Sequence, residues 1–327
     1  MSRISHRRLR SRDKLVLTVP KEGAVVCPEC GNHCRLDDGE KGLCNLREAQ
    51  EGKIVERFPG QAIVSWYFDP LPTNCVADWV CPCTEDVAVH GHYSLNNLAV
   101  FYGSCSSDCL FCQNSSYRGM MSKGAPLMTP SELASAANDK TACVCYFGGD
   151  PSCNPQHSVK TSRLLMEERV IKVCYETWGI ISSKWLTKIA DVAEESKGTI
   201  KIDLKALNPL LYEAMTGVSN ETVLKNFREL ARRGLKIDRP FLVASILLVP
   251  GYVGVSEVRS LSEFIADCDP TIPTALLGFA PHHGMSDLPR TSRNHAAEAQ
   301  AVAVVSGLTN VRIGNLGLLS GAEYDTD

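Results

Sequence analysis

Short apolar runs alternate with helical patterns from residue 98 to the end of the chain. Each run is rich in aliphatic and β-branched residues, which is typical of strands buried on both faces of a parallel sheet. The sequence therefore predicts strands at 98–102, 142–147, 170–175, 199–204, 241–249 and 275–279.

Helix signals lie between these runs. Thr129 is followed by Pro130 and Glu132, which predicts a capped helix start, and Asn208-Pro209 predicts another helix that Gly217 ends. Four apolar residues after Ser256-Glu257 share one helical face: Val258, Leu261, Phe264 and Ile265. A last helix is predicted at 296–308 and a last strand at 311–313.

Six strand–helix units imply an α/β fold, a partial (β/α)6 barrel of the TIM type. Parallel barrels carry their active sites at the C-terminal ends of their strands. Residues 1–97 contain seven cysteines and little helical period. We therefore predict two domains, a cysteine-rich metal-binding region at 1–97 and the barrel at 98–327.

Composition narrows the choice of partners. A formal net charge of −3 over 327 residues provides no field for nucleic acid or a membrane surface. The basic start is not followed by an apolar core of signal-peptide length, and no stretch reads as membrane-spanning. The chain has 15 cysteines, an odd count, and they are clustered, which favours metal ligation over disulfides. We therefore expect the protein to be located in a reducing, oxygen-poor cytoplasm.

Cys105, Cys109 and Cys112 follow the first predicted strand with the spacing C-x3-C-x2-C. Three thiolates leave one corner of a four-iron cluster open to a ligand that is not cysteine. The same cysteines could instead belong to a zinc knot or a structural cluster, and spacing alone leaves this open.

Charged and small residues follow the later strands, at the predicted mouth of the barrel. Burying such charges is costly unless they are paired or bind a cation or substrate. The residues are Gly148, Gly149, Asp150, Glu176, Asp203, Lys205 and His283.

The remaining cysteines fall into three groups. Cys27, Cys30, Cys34 and Cys44 form an N-terminal box that could hold zinc or a second iron–sulfur cluster. Cys75, Cys81 and Cys83 have no assigned role. Most of the others are interpreted as small buried hydrophobes: Cys143, Cys145, Cys153, Cys174 and Cys268.

The three-cysteine loop, with Phe111 before its last cysteine, resembles that of the radical S-adenosylmethionine (SAM) superfamily. The resemblance implies that Cys105, Cys109 and Cys112 ligate a [4Fe-4S] cluster whose open iron binds SAM. An electron from the cluster then cleaves SAM, and the resulting radical abstracts a hydrogen atom from carbon. It also implies a SAM-binding role for Phe111, Gly148, Gly149, Asp150, Glu176, Asp203, Lys205 and His283.

A narrower resemblance rests on the turn at 176–179 and on Asp203-Leu-Lys205, which are similar to motifs of the pyruvate formate-lyase activating enzymes. Trp178 stands where those enzymes have asparagine. With the N-terminal box and Asp69-Pro70, the chain resembles the AmmeMemoRadiSam group, although 70–83 departs from its lysine-rich pattern. The resemblance to the activating enzymes implies a monovalent cation beside two acids, Glu176 and Asp203.

These resemblances imply a polypeptide substrate and an electron donor such as ferredoxin or flavodoxin. One alternative is a cobalamin-dependent radical SAM C-methyltransferase that acts on a protein side chain, such as one in methyl-coenzyme M reductase. An alternative from another class is a zinc-knot binding protein. The kind of metal bound would distinguish the latter from an iron–sulfur enzyme.

Overall fold

The computed structural model describes residues 23–71, 75–91 and 94–327. Its contacts divide the chain into two units. The N-terminal unit holds the described residues up to Ser107 together with Asn114–Ile200, and the C-terminal unit holds Asp108–Gln113 and Lys201–Asp327. The expected boundary between residues 97 and 98 stays a prediction.

Two small antiparallel ribbons open the N-terminal unit. They pair β1 (Val25–Val26) with β2 (Arg35–Leu36), and β3 (Arg47–Gln50) with β4 (Lys53–Glu56). Leu36 and Ala49 pack with the buried Cys27 and Cys34 in a minor core. The cysteine-rich region thus has apolar packing of its own.

Five strands form the sheet of this unit, in the order β7-β5-β6-β8-β9. Strands β6, β8 and β9 run parallel, whereas β5 is antiparallel to both of its neighbours. The ranges are β5 (Ala62–Pro70), β6 (Asn96–Tyr102), β7 (Leu127–Met128), β8 (Thr141–Gly148) and β9 (Lys172–Thr177). The predicted strands at 98–102, 142–147 and 170–175 are confirmed, with small shifts at their ends.

The helices of the N-terminal unit are α1 (Thr84–His90), α2 (Tyr117–Lys123), α3 (Pro130–Ala134), α4 (Pro155–Glu168) and α5 (Ser183–Glu195). Helix α3 begins with the predicted capping box, in which Thr129 and Glu132 bond each other's backbone. Helix α4 covers one face of the sheet, where the hydroxyl of Tyr146 bonds Ser158 and Ser162. Because side chains alternate along a strand, Cys143, Cys145 and Phe147 face the other side.

The C-terminal unit repeats the strand–helix pattern. Its strands lie in the order β10-β11-β12-β13, with β11, β12 and β13 parallel. They are β10 (Ile200–Asp203), β11 (Leu242–Leu248), β12 (Thr274–Gly278) and β13 (Val311–Gly314). Its helices are α6 (Pro209–Thr216), α7 (Glu221–Gly234), α8 (Val255–Cys268) and α9 (Arg293–Val305).

Helix α6 has the predicted ends. Asn208 accepts bonds from the N–H groups of Leu210 and Leu211, and Gly217 closes the helix at a left-handed φ of 80°. The alternation of strands and helices confirms the predicted α/β class. Within the described ranges, no helix is both long enough and apolar enough to cross a bilayer.

Candidate active site

The cysteine loop directly follows β6, and its three thiols are buried. Cys105, Cys109 and Cys112 are 3%, 2% and 8% exposed. Backbone bonds hold the second part of the loop, because Asp108 and Leu110 donate to the carbonyls of Thr216 and Met215 at the end of α6 (2.9 and 3.0 Å).

The donor chemistry of this loop fits an iron–sulfur cluster. Among the described residues, no three Cys, His, Asp or Glu side chains form a group that could hold a single metal ion. A four-iron cluster binds each thiolate to a different iron, so its ligands need not converge on one ion. Three soft thiolates on one buried loop meet that requirement.

The Gly-Gly-Asp turn at the end of β8 packs against the first part of the cysteine loop. Gly149 has a φ of 61°, and a Cβ there would lie 2.2 Å from the Tyr102 carbonyl oxygen. The N–H of Asp150 donates to the Ser104 carbonyl at 2.8 Å. Only glycine allows this close approach, which ties the turn to the backbone just before Cys105.

The carboxylate of Asp150 is fully buried among hydroxyl groups. It accepts bonds from Ser106, from Ser152 (2.5 Å) and from Thr177 (2.6 Å). Burial raises the pKa of Asp150 and outweighs these hydrogen bonds, which act to lower it. Because Ser106 follows Cys105, the carboxylate positions the cysteine loop; its predicted contact with SAM stays a prediction.

Glu176 lies apart from Asp150 within this unit. It neighbours Thr177 in β9, so the two side chains face opposite sides of the sheet. Glu176 is half-buried and lines a cavity together with Cys75 and Cys174.

In the C-terminal unit, Asp203 ends β10 between two nearly buried lysines. Its oxygens lie 3.3 Å from Lys201 Nζ and 3.0 Å from Lys205 Nζ, and Ser245 donates its hydroxyl to the carboxylate. Burial would raise the pKa of Asp203, but the two ammonium charges outweigh it and hold this pKa well below its usual range. The carboxylate therefore carries a negative charge that lysines balance.

Lys205 also reaches the cysteine loop. Its Nζ lies 5.4 Å from the centre of the Phe111 ring, within the range of a cation–π contact. His283 is exposed and has a φ of 50°. The next residue, Gly284, lies beside this loop, since a Cβ on it would be 3.2 Å from the Leu110 oxygen.

A fifth cysteine, Cys153, contacts the N-terminal box, although the sequence does not single it out as a ligand. Cys27, Cys30, Cys34 and Cys44 are all buried. The Cys153 hydrogen bond lowers the pKa of Cys44 to about 6; Arg47 assists and burial opposes. Arg47 also donates to the Cys153 carbonyl at 3.0 Å. Because Cys153 follows Asp150 by three positions, the box is tied to the Gly-Gly-Asp turn.

Sequence reasoning missed several partners of the predicted residues. Alternation along β10 could have placed Lys201 on the same face as Asp203. Ser152 is a local partner, two positions after Asp150 at the start of a short 3-10 helix. The other partners carry no local signal, because they come from distant parts of the chain: Ser106, Ser245 and Cys153.

A family model and a known protein match the sequence of this chain. The family model described as the radical SAM superfamily matches residues 99–263. An uncharacterized protein of Methanocaldococcus jannaschii is 25% identical over 300 residues, covering 90% of this chain and 82% of the relative.

Two solved structures match parts of this chain. A radical SAM methyltransferase from Sphaerobacter thermophilus is 16% identical with a TM-score of 0.50, over 69% of each chain. A domain of the pyruvate-formate lyase-activating enzyme from Bacteroides vulgatus is 22% identical with a TM-score of 0.44, over 53% of this chain and 99% of that domain. At 16% identity the likeness to the methyltransferase concerns the fold alone.

Proposed function

Because this chain belongs to the radical SAM superfamily, we propose that it cleaves SAM reductively and removes a hydrogen atom from a carbon of a polypeptide substrate. The observation that carries the proposal is the set of three buried thiols on one loop, with the spacing that leaves one iron of a [4Fe-4S] cluster open. Superfamily membership itself implies an enzyme that uses this cluster and SAM.

Different residues in and beside the cysteine loop have different roles. Cys105, Cys109 and Cys112 hold the cluster, and their burial excludes water from it. When bound, the cluster and SAM together supply the electron and the carbon-centred radical. Asp150 holds Ser106, and so the Cys105 backbone, in one position.

Asp203 and Lys205 act on the other part of the loop. Asp203 fixes the Lys205 ammonium, which lies over the Phe111 ring beside Cys112. The Lys205 ammonium therefore places a positive charge near the loop, and this charge stabilises a carboxylate bound there, such as that of SAM. The two lysines balance the charge of Asp203, so the expected monovalent cation is not needed at this carboxylate.

A polypeptide substrate is supported by the sequence motifs at 176–179 and 203–205, which resemble those of activating enzymes. The electron donor, a bound cobalamin and metal in the N-terminal box stay predictions. If cobalamin is retained at about one per chain and a methylated product forms, the reaction is instead a C-methylation.

The experiment is anaerobic reconstitution with iron and sulfide, followed by SAM and dithionite, with chromatography of deoxyadenosine. Replacing any of Cys105, Cys109 or Cys112 with Ala should abolish its formation, because each removes one of three protein ligands. Cys268→Ala, in the last residue of α8, is the matched control and should form it at the wild-type rate. Deoxyadenosine at that rate from any of the three variants would contradict the proposal.

A further inference from the structure

A third group of cysteines surrounds a cavity of about 70 Å³ in the N-terminal unit. The cavity lies on the face of β8 and β9 that α4 does not cover. Five thiols line it, from the loop before α1 and from the two strands: Cys75, Cys81, Cys143, Cys145 and Cys174. They are separate from the radical SAM loop and from the N-terminal box.

Direct contacts connect these thiols. The N–H of Cys83 donates to Cys81 Sγ at 3.4 Å, and the Cys83 thiol also bonds Cys143. Cys143 in turn donates to Asn97 Oδ1 at 3.5 Å. The segment that holds Cys81 and Cys83 therefore meets Cys143 of β8, a cysteine expected to be a simple core residue.

The lining combines apolar side chains with thiols and two acidic residues. Cores are packed to the density of organic crystals, whereas this space remains open, and Asp69 and Glu176 are among the residues that line it. No lysine, arginine or histidine is found among the described residues that line it. A cationic, thiophilic group is the occupant that such a lining suits.

We propose that Cys75, Cys81, Cys143 and Cys174 hold a second iron–sulfur cluster in this cavity. Thiolates are the donors that iron–sulfur clusters require. Five thiols line this one cavity, more donors than the four of a tetrahedral zinc site. The cavity exceeds the space of one water several-fold, and Cys83 supports two of the ligands by hydrogen bonding. This site does not depend on the proposed hydrogen abstraction.

The first test measures iron and acid-labile sulfide in the anaerobically reconstituted full chain. Replacing Cys81, Cys143 and Cys174 together with Ser should lower both by about two to four atoms per chain, the content of one cluster. Cys268→Ser is the control and should lose none. An electron paramagnetic resonance (EPR) signal that still responds to SAM shows that the variant folds and keeps the radical SAM cluster. Iron and sulfide equal to the control, or zinc in place of iron, would overturn the proposal.

The second test uses the unaltered chain, so misfolding of a variant cannot obscure it. Cys75, Cys81 and Cys268 are all partly exposed. Iodoacetamide labelling, followed by peptide mass spectrometry, should slow at least about tenfold at Cys75 and Cys81 once iron and sulfide are bound, because metal-bound thiolates lose their reactivity. Labelling of Cys268 should not change. Equal rates at Cys75 and Cys81 with and without iron and sulfide would exclude the cluster.

Discussion

Asp203→Asn tests whether the charge of the Asp203 carboxylate, which lies between two lysines, stabilises the folded protein. The substitution keeps the shape of the side chain and removes its charge. Lys201 and Lys205 then remain as two like charges, with side chains only 7% and 8% exposed. Their mutual repulsion and lost solvation are the source of the expected effect.

The magnitude follows from the burial. Removing one partner of a buried ion pair costs about 3–5 kcal/mol. Asp203 itself is 25% exposed, so water offsets part of the loss and the lower end, about 3 kcal/mol, is expected at pH 7.

The pH dependence has a definite sign. The pKa of Asp203 lies below its unfolded value, so its stabilisation is present above about pH 4 and is lost as pH falls through the folded pKa. The difference between wild type and Asp203→Asn should therefore shrink in strong acid.

Urea unfolding followed by tryptophan fluorescence measures this difference. Asp267→Asn is the control, since Asp267 is an exposed acid near the end of α8, and it should change stability by less than about 0.5 kcal/mol. Adding Lys201→Met to Asp203→Asn should restore part of the loss by removing one of the two like charges. A loss at pH 7 below about 1 kcal/mol for Asp203→Asn would refute the reasoning.

Three further predictions concern the N-terminal unit. Burial lowers the pKa of His157 to about 4 in the folded protein. As pH falls, His157 therefore becomes protonated in the unfolded chain before it does so in the folded protein, which favours unfolding. His157 should account for about 2 kcal/mol of the free energy of unfolding lost from pH 7 to pH 5, so urea unfolding of His157→Gln should show a slope smaller by that amount; an equal slope in the variant contradicts this. Gly149→Ala should cost at least about 2 kcal/mol, because of its positive φ and its contact with a carbonyl, whereas Gly119→Ala in the open helix α2 should cost nothing; equal losses would contradict the packing argument. The last change replaces all four cysteines of the N-terminal box with Ala: Cys27, Cys30, Cys34 and Cys44. Metal analysis should then show the loss of one zinc or of one cluster's iron. Unchanged metal content would show that these cysteines are ordinary thiols.

The strands and caps were predictable because their signals are local. Apolar runs located the strands to within a few residues, and Thr129, Asn208 and Gly217 fixed helix ends through bonds to their own neighbours. The cysteine loop was predictable for the same reason, since its three thiols lie within eight consecutive positions.

The partners of the site residues were not predictable, because they depend on packing between distant segments. Nothing near Asp150 in the sequence indicates that Thr177 donates to it, or that Ser106 does. The cysteine-lined cavity is similar: Cys143 and Cys174 look like core residues until the loop of Cys81 is placed beside them.

The central claim is that three thiolates leave one iron free for SAM, and EPR spectroscopy of the dithionite-reduced, reconstituted protein tests it most directly. SAM labelled with ¹⁵N in its amino group should change the spectrum and show a nitrogen coupling to the cluster in double-resonance measurements. Adenosine, which lacks the amino and carboxylate groups, should leave the spectrum unchanged. A reduced cluster whose spectrum ignores SAM, with no nitrogen coupling, would contradict the account.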